Sequence, residues 1–192
     1  MMKLIDYQAD CQTMSFAEFC EINHMDNIKR EFFNGQTVKM QSPNAWHQSI
    51  IAEISAAFVT FLRNKPCRFW PGRDVHLQIG AQDFLYVPDG LVLCDAAKDD
   101  GQTIQGAPDF VLEVWSPGNS SVERKQKIRN YQLAGVREIW EITGSEEYAT
   151  CVKYVQDNNG NYAVEICFFD EILQSSVFPG CAVDLKNLVK KF

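Results

Sequence analysis

Phe84-Leu85-Tyr86-Val87-Pro88-Asp89-Gly90-Leu91-Val92-Leu93 and Phe110-Val111-Leu112-Glu113-Val114-Trp115 decide how this chain is read. Both are apolar runs of strand composition, and each carries one acid in its interior. Side chains alternate faces along a strand. Asp89 is therefore expected to share a face with Val87 and Leu91, and Glu113 with Val111 and Trp115. An ionised carboxylate in such surroundings costs several kcal/mol unless something positive or hydrogen-bonding compensates it. Two such acids on neighbouring strands ask for a shared partner. A hard divalent cation, Mg²⁺ or Mn²⁺, is the simplest one, because it takes carboxylate oxygens.

Outward from these strands, hydrophobic periodicity and turn residues predict the remaining elements. A short helix is expected over residues 15–22, then a hairpin of residues 29–33 and 36–41 around Asn34-Gly35, a strong hairpin signal. Ser42-Pro43-Asn44 opens a helix reaching Arg63. Strands are expected near residues 67–79, 85–94 and 110–115, followed by a break at Ser116-Pro117-Gly118-Asn119. Ser120-Ser121-Val122-Glu123 has capping-box spacing and starts a second long helix, which ends at Ala134-Gly135. A strand over 137–143, a hairpin of 148–156 and 162–169, and a last strand over 173–178 complete the reading. The expected fold is α+β or α/β, a mixed sheet flanked by two principal helices. One domain is expected over 1–192, with its core at about 30–143.

The bulk composition narrows the function classes. No uncharged apolar run approaches the roughly 18 residues that span a bilayer, and Met1-Met2-Lys3-Leu4-Ile5-Asp6 does not resemble a secretory signal. Seven scattered cysteines without a CxxC pair suit reduced cytoplasmic thiols better than a disulfide framework or a zinc site. A net charge of −7 argues against a broad, indiscriminate nucleic-acid binder, but a local basic patch on an acidic metal enzyme is compatible with it. Neither GxxxxGK[ST] nor GxGxxG occurs, which argues against a phosphate-cradling nucleotide enzyme.

Two further residues stand out by position. At 100° per residue, His47, Ile51, Ile54, Phe58 and Phe61 fall in one arc with His47 at its centre, so the imidazole is expected to point inward. A lone inward histidine is commonly a satisfied core residue; the two inward acids are what bring His47 into the site. His24 and His76 have no such context. On the second helix, Glu123, Lys127, Tyr131 and Ala134 share a face and Lys125 points away. Lys127 either pairs with Glu123 one turn back, for a few tenths of a kcal/mol, or reaches the Glu113 strand and faces negative charge developing on a phosphate. Arg124, Lys125, Lys127 and Arg129 are otherwise a basic cluster of the kind found on solvated helix faces.

In order, Pro88-Asp89, Glu113 on the next apolar strand and Lys127 on the next helix resemble the PD-(D/E)XK restriction-endonuclease-like superfamily. More closely, the chain resembles the Uma family within it. The likeness runs from Phe16 onward through Glu31-Phe32-Phe33-Asn34-Gly35, Met40-Gln41-Ser42-Pro43, His47, Val87-Pro88-Asp89, Gly106-Ala107-Pro108-Asp109, Glu113-Val114-Trp115-Ser116-Pro117, Lys127 with Tyr131, Gly135-Val136-Arg137-Glu138-Ile139-Trp140 and Phe178-Pro179-Gly180. It implies a restriction-endonuclease-like core, Asp89 and Glu113 as ligands of Mg²⁺ or Mn²⁺, and Lys127 and His47 as further catalytic residues. The signature usually carries lysine two residues beyond the second acid, where this chain has Trp115; the family places it on the following helix, at Lys127. Glu123 stands where relatives tend to have aspartate.

Two functions follow as expectations. The first is a metal-dependent endonuclease that hydrolyses phosphodiester bonds of nucleic acid, DNA before RNA. Its ion is held by Asp89, Glu113 and a backbone carbonyl near Val114. The second is a non-catalytic nucleic-acid- or protein-binding module that keeps the acids as a hydrogen-bonded polar core. No membrane partner is expected. A homodimer is expected by analogy with folds that pair two active sites, and the apolar hairpin of 148–169 offers a surface for it.

Overall fold

The computed structural model describes residues 13–23, 25, 28–33, 35–40, 42–116, 120–145 and 147–188. Residues 1–6 and Cys11, His24, Asn34 of the predicted turn, Gln41, and the 117–119 part of the predicted break lie outside the described residues. Helix α1 (Phe16–Asn23) precedes the hairpin β1 (Arg30–Phe33) and β2 (Gln36–Lys39). Then come α2 (Ala45–Leu62), β3 (Arg68–Trp70), β4 (Val75–Ile79), β5 (Gln82–Tyr86) and β6 (Gly90–Leu93). β7 (Ile104–Gln105), β8 (Phe110–Trp115), α3 (Ser121–Ala134) and β9 (Glu138–Gly144) follow. The hairpin β10 (Ala149–Gln156) and β11 (Tyr162–Phe168) leads to two short strands, β12 (Ile172–Gln174) and β13 (Ala182–Asp184).

The architecture is mixed α+β, as the pattern predicted, but the strands form more than one sheet. Five strands run in the order β2-β1-β5-β4-β7 and six in the order β11-β10-β9-β8-β6-β3, while β12 and β13 pair alone. β4 with β7 and β8 with β9 are parallel pairs. Two long predicted strands are each broken, and for one reason. Proline has no N–H for a ladder, so Pro71-Gly72 splits 67–79 and Val87-Pro88-Asp89 splits 85–94. At each break the chain leaves one large sheet for the other. The two crossings are tied together, with the Gly72 N–H donating to the Asp89 carbonyl at 3.3 Å. The predicted last strand is also shorter: β12 ends at Gln174, and a turn tied by Ser175 and Cys181 returns the chain as β13.

Both faces of the six-stranded sheet are covered. Phe110, Leu112 and Val114 of β8 join Ile50, Ile54 and Phe58 of α2 in one core cluster. Val111, on the opposite face, joins Ile128 and Tyr131 of α3 in another, together with Leu77 and Phe84 of the five-stranded sheet. Asn44 caps α2, its Oδ1 accepting from the His47 N–H at 2.8 Å, and Gly135 ends α3 in the left-handed conformation at φ 88°.

The cysteine expectation is corrected at one pair. β3 and β6 are antiparallel with Arg68 opposite Leu93, so one step further Cys67 meets Cys94, and the two form a disulfide with Cα atoms 3.9 Å apart. Their separation of 27 residues hides the pairing from any local motif. Cys20, Cys151, Cys167 and Cys181 are free, and the last three are buried as small apolar residues.

Candidate active site

The crossing from β5 to β6 is where the two acids meet. Gly90 pairs with Leu112, so Asp89, one residue earlier, comes against Glu113. The Val114 N–H donates to Asp89 Oδ2 at 2.8 Å and fastens the aspartate to β8. A Cβ at the position after it, Gly90, would stand 2.5 Å from the tip of the Phe69 ring, so any side chain there requires that ring to move. Asp89 is thus on the crossing, not in a continuous strand. Val87 packs with Phe19, Phe32 and Leu85, and Leu91 belongs to a different cluster. Glu113 keeps its expected place on the β8 face that looks toward α3.

Lys127 reaches that face from α3. Its Nζ lies 2.9 Å from Glu113 Oε1 and 2.7 Å from Glu31 Oε1. No ion pair to Glu123 forms among the described residues; Glu123 is half-buried and lines the same cleft, and Lys125 is exposed. Glu31 Oε1 also accepts the Val87 N–H at 2.8 Å, which ties the crossing to β1. The Tyr131 hydroxyl donates to Glu113 Oε1 at 2.7 Å. The Lys127 ammonium stands 5.5 Å from the Tyr86 ring centre and 5.6 Å from that of Trp115, within cation–π range. Trp115, in the position the nuclease signature gives to lysine, is therefore a platform beneath the lysine from the next helix.

Burial sets the electrostatics. Glu113 is 2% exposed and Lys127 5%. Burial pushes Glu113 up to about 8; the Lys127 charge opposes that rise, and Asp89 and Glu31 add to it. Burial alone would lower Lys127, but Glu113 and then Glu31 outweigh it and hold the ammonium above its ordinary value. The cluster keeps its cation, and Glu113 is an acid that holds a proton unusually well.

His47 sits in the first turn of α2, 8% exposed, with Nε2 3.2 Å from Asp89 Oδ2. Its Nδ1 is buried without a partner among the described residues. The helix buries Trp46, Ile50, Ile54, Phe58 and Leu62, while Ile51 and Phe61 are only half-buried. His47 itself is buried and, at 100° per residue, falls between Ile54 and Phe58, well inside the buried stripe as expected; it lines a cleft of about 620 Å³ with Asp89, Glu113 and Lys127. His76 has a different setting: it stacks on Phe16 and bonds Gln105 and Asp83. The basic cluster also divides. Arg124 is bonded to Glu141, and Lys125 and Arg129 face solvent.

Glu31, Tyr131 and Trp115 had no role in the reading of single residues. Glu31 carried the same signal that singled out Asp89 and Glu113, an acid next to the apolar pair Phe32-Phe33 of a strand. Its partners lie 56 and 96 residues away, beyond any local pattern.

Among the described residues no group of three or more His, Cys, Asp or Glu side chains could enclose a metal ion. The donor set suits an ion that needs fewer. Among the described residues, Asp89 Oδ1 and Glu113 Oε2 make no hydrogen bond, while the other oxygen of each is anchored. Mg²⁺ is commonly held by one or two carboxylates, with waters and substrate phosphates completing its shell. Asp89 and Glu113 fit that role.

Comparison with known proteins places these features. The family model Uma2, described as "Putative restriction endonuclease", matches residues 16–186. An uncharacterized protein of Synechocystis sp. is 27% identical over 118 residues, which is 62% of this chain and 62% of that protein. The chain thus matches less than two thirds of that relative's length. A crystal structure from Anabaena variabilis, titled "putative nuclease belonging to DUF820", superposes with a TM-score of 0.73 at 17% identity. The superposition covers 92% of this chain and 97% of that one, and shows a shared fold.

Proposed function

The chain belongs to the Uma2 restriction-endonuclease family, and from that premise we propose that it is a divalent-metal-dependent endonuclease hydrolysing phosphodiester bonds, with DNA the first substrate to test. The observation that carries this reading is the meeting of Asp89 and Glu113 across β6 and β8, with Lys127 2.9 Å from Glu113. Restriction-endonuclease-like proteins generally use divalent metals; Asp89 and Glu113 would hold Mg²⁺ or Mn²⁺ here. When bound, such an ion supplies Lewis-acid charge to the phosphate and makes water a better nucleophile.

The chain's own residues have separate tasks. Val114 and Tyr131 each take one oxygen of a carboxylate and leave the other to the cleft. Lys127, steadied by Glu31, presents its ammonium to the charge that grows on the phosphate oxygens. His47, beside Asp89 at the cleft wall, holds that carboxylate in place. We also propose a homodimer through β11, an edge strand with Val164, Ile166 and Phe168 exposed in alternation.

The test combines binding and cleavage. Wild-type protein should gain thermal stability with Mn²⁺ and cut labelled DNA, and Asp89→Asn should do neither while remaining folded. An ion at one hundred times its dissociation constant raises stability by about 2.7 kcal/mol. A crystal soaked in Mn²⁺ with no ion between Asp89 and Glu113 would sink the proposal. One observation favours the second reading, a non-catalytic binding module. Glu31, Lys127 and Glu113 already satisfy one another as a closed polar cluster. Nucleic-acid binding without cleavage in either metal would establish that module.

A further inference from the structure

The groups proposed to act on the phosphate are not on an open surface. Glu113, Lys127 and His47 are all buried, and the Asp89 side chain is 16% exposed, at the wall of a single cleft. A phosphate that reaches them brings its sugar and base into the cleft with it. In a duplex every base is paired and stacked, and the double helix is stiff. A strand can therefore follow its phosphate inward only after leaving the helix. Enzymes that need a nucleotide inside a pocket act on single strands or pull the nucleotide out of the stack.

The dimensions and lining agree with one loose strand. A volume of about 620 Å³ is in the range of sites that enclose a small molecule of one or two nucleotides. Met40, Ile51, Ala52 and Pro71 are apolar residues of its lining, against which a base can lie. Lys29 and Lys39 also line the cleft, both exposed, where the phosphates on either side would pass. Among the described residues, buried polar atoms of three lining residues, His47 Nδ1, Ser55 Oγ and Trp115 Nε1, have no partner. With a net charge of −7 the chain is also poorly suited to gripping a long duplex by its phosphates.

We infer that the cleft takes a single-stranded segment of nucleic acid, one base lying against these apolar lining residues while its phosphate meets Asp89, Glu113 and Lys127. This rests on the nuclease reading for the role of the acids, but strand binding can be measured apart from cleavage. The preference is for strandedness over sequence, because apolar side chains contact any base.

The experiment measures fluorescence anisotropy of the full chain in EDTA. The probes are a short labelled oligothymidine and a blunt duplex hairpin of equal nucleotide number. The single strand should bind about tenfold more tightly, the contribution of one well-seated base. Ala52→Trp, which fills the lining position on the exposed side of α2, should abolish that preference while melting like the wild type. Smaller blocking by Ala52→Leu covers the case in which tryptophan disturbs the helix. Equal affinities, tighter duplex binding, no binding of either probe, or a preference untouched by both variants overturns the inference. A second arm adds Mn²⁺ and a flapped duplex. Cutting confined to the unpaired arm supports the inference, and cutting inside the duplex at the same rate overturns it while leaving the nuclease reading intact. Single-strand preference in EDTA with no cutting in Mn²⁺ supports the inference and removes the nuclease reading instead.

Discussion

Lys127 is clamped between Glu31 and Glu113, so replacing it removes a charge from the reaction and a cation from two buried acids. Lys127→Met should lower DNA cleavage by about 10²–10³-fold, the usual cost of one lost transition-state contact. It should also destabilise the fold by about 3–5 kcal/mol at neutral pH, because the acids lose their counter-ion. Lys125→Met, on the solvent side of the same helix, should change stability by less than about 0.5 kcal/mol. Equal cleavage losses from the two variants would show a basic helix attracting phosphate and no special role for Lys127. Glu113 yields a prediction with a definite sign. Its folded value, about 8, lies above the ordinary glutamate value of 4.5. Between those pH values the unfolded chain has released a proton that the folded chain keeps, so stability falls as pH rises through the window. Glu113→Gln has no such titration. Its stability relative to wild type should climb from about pH 4.5 to about pH 8 in urea unfolding and level off outside that range. A difference that stays flat would mean that Glu113 titrates normally.

At the scale of elements, the site is built by the crossing between β5 and β6. Val87 is held by Glu31, Asp89 by Val114, and a side chain at Gly90 would require the Phe69 ring to move. Gly90→Ala should therefore cost about 1–3 kcal/mol through overpacking and weaken Mn²⁺ binding by moving Asp89 off β8. A double variant with Phe69→Leu should recover both, since the obstacle is the edge of that ring. Recovery of stability without metal binding would separate the packing of the crossing from the placement of the acid. The Cys67–Cys94 disulfide closes the ends of the same β3–β6 pair that carries Phe69 and Gly90. One pair of strands thus supports the crossing by a covalent link at one end and by ring packing at the other.

At the scale of the whole molecule, the six-stranded sheet ends at β11 with Val164, Ile166 and Phe168 exposed in alternation. Long apolar edge strands invite pairing unless they are covered or charged. In the proposed homodimer two copies of β11 run antiparallel about a two-fold axis and bring two clefts into one particle. Ile166→Lys should convert the dimer to monomer in analytical ultracentrifugation with little change in thermal stability. A wild-type protein that sediments as a monomer at all concentrations would end the idea.

What the sequence determined by itself was local in origin. Apolar periodicity, the cap at Asn44 and the glycine at Gly135 located the helices, and the β10–β11 hairpin followed from its turn. The two acids were legible as polar residues where an apolar pattern did not permit them, and Lys127 by the helix face it shares with Tyr131. The tertiary structure decided which sheet each strand joined, that Glu31 is the second carboxylate on Lys127, that the inward-facing His47 meets Asp89, and that Cys67 pairs with Cys94. These depend on register and on contacts across 27 to 96 residues of chain. A pattern of period 2 or 3.6 says which face of an element is buried, but not which distant element buries it. The prolines at 71 and 88 show the boundary between the two: each lay inside a stretch expected as one strand, and the packing of two sheets made it a crossing that places the acids together.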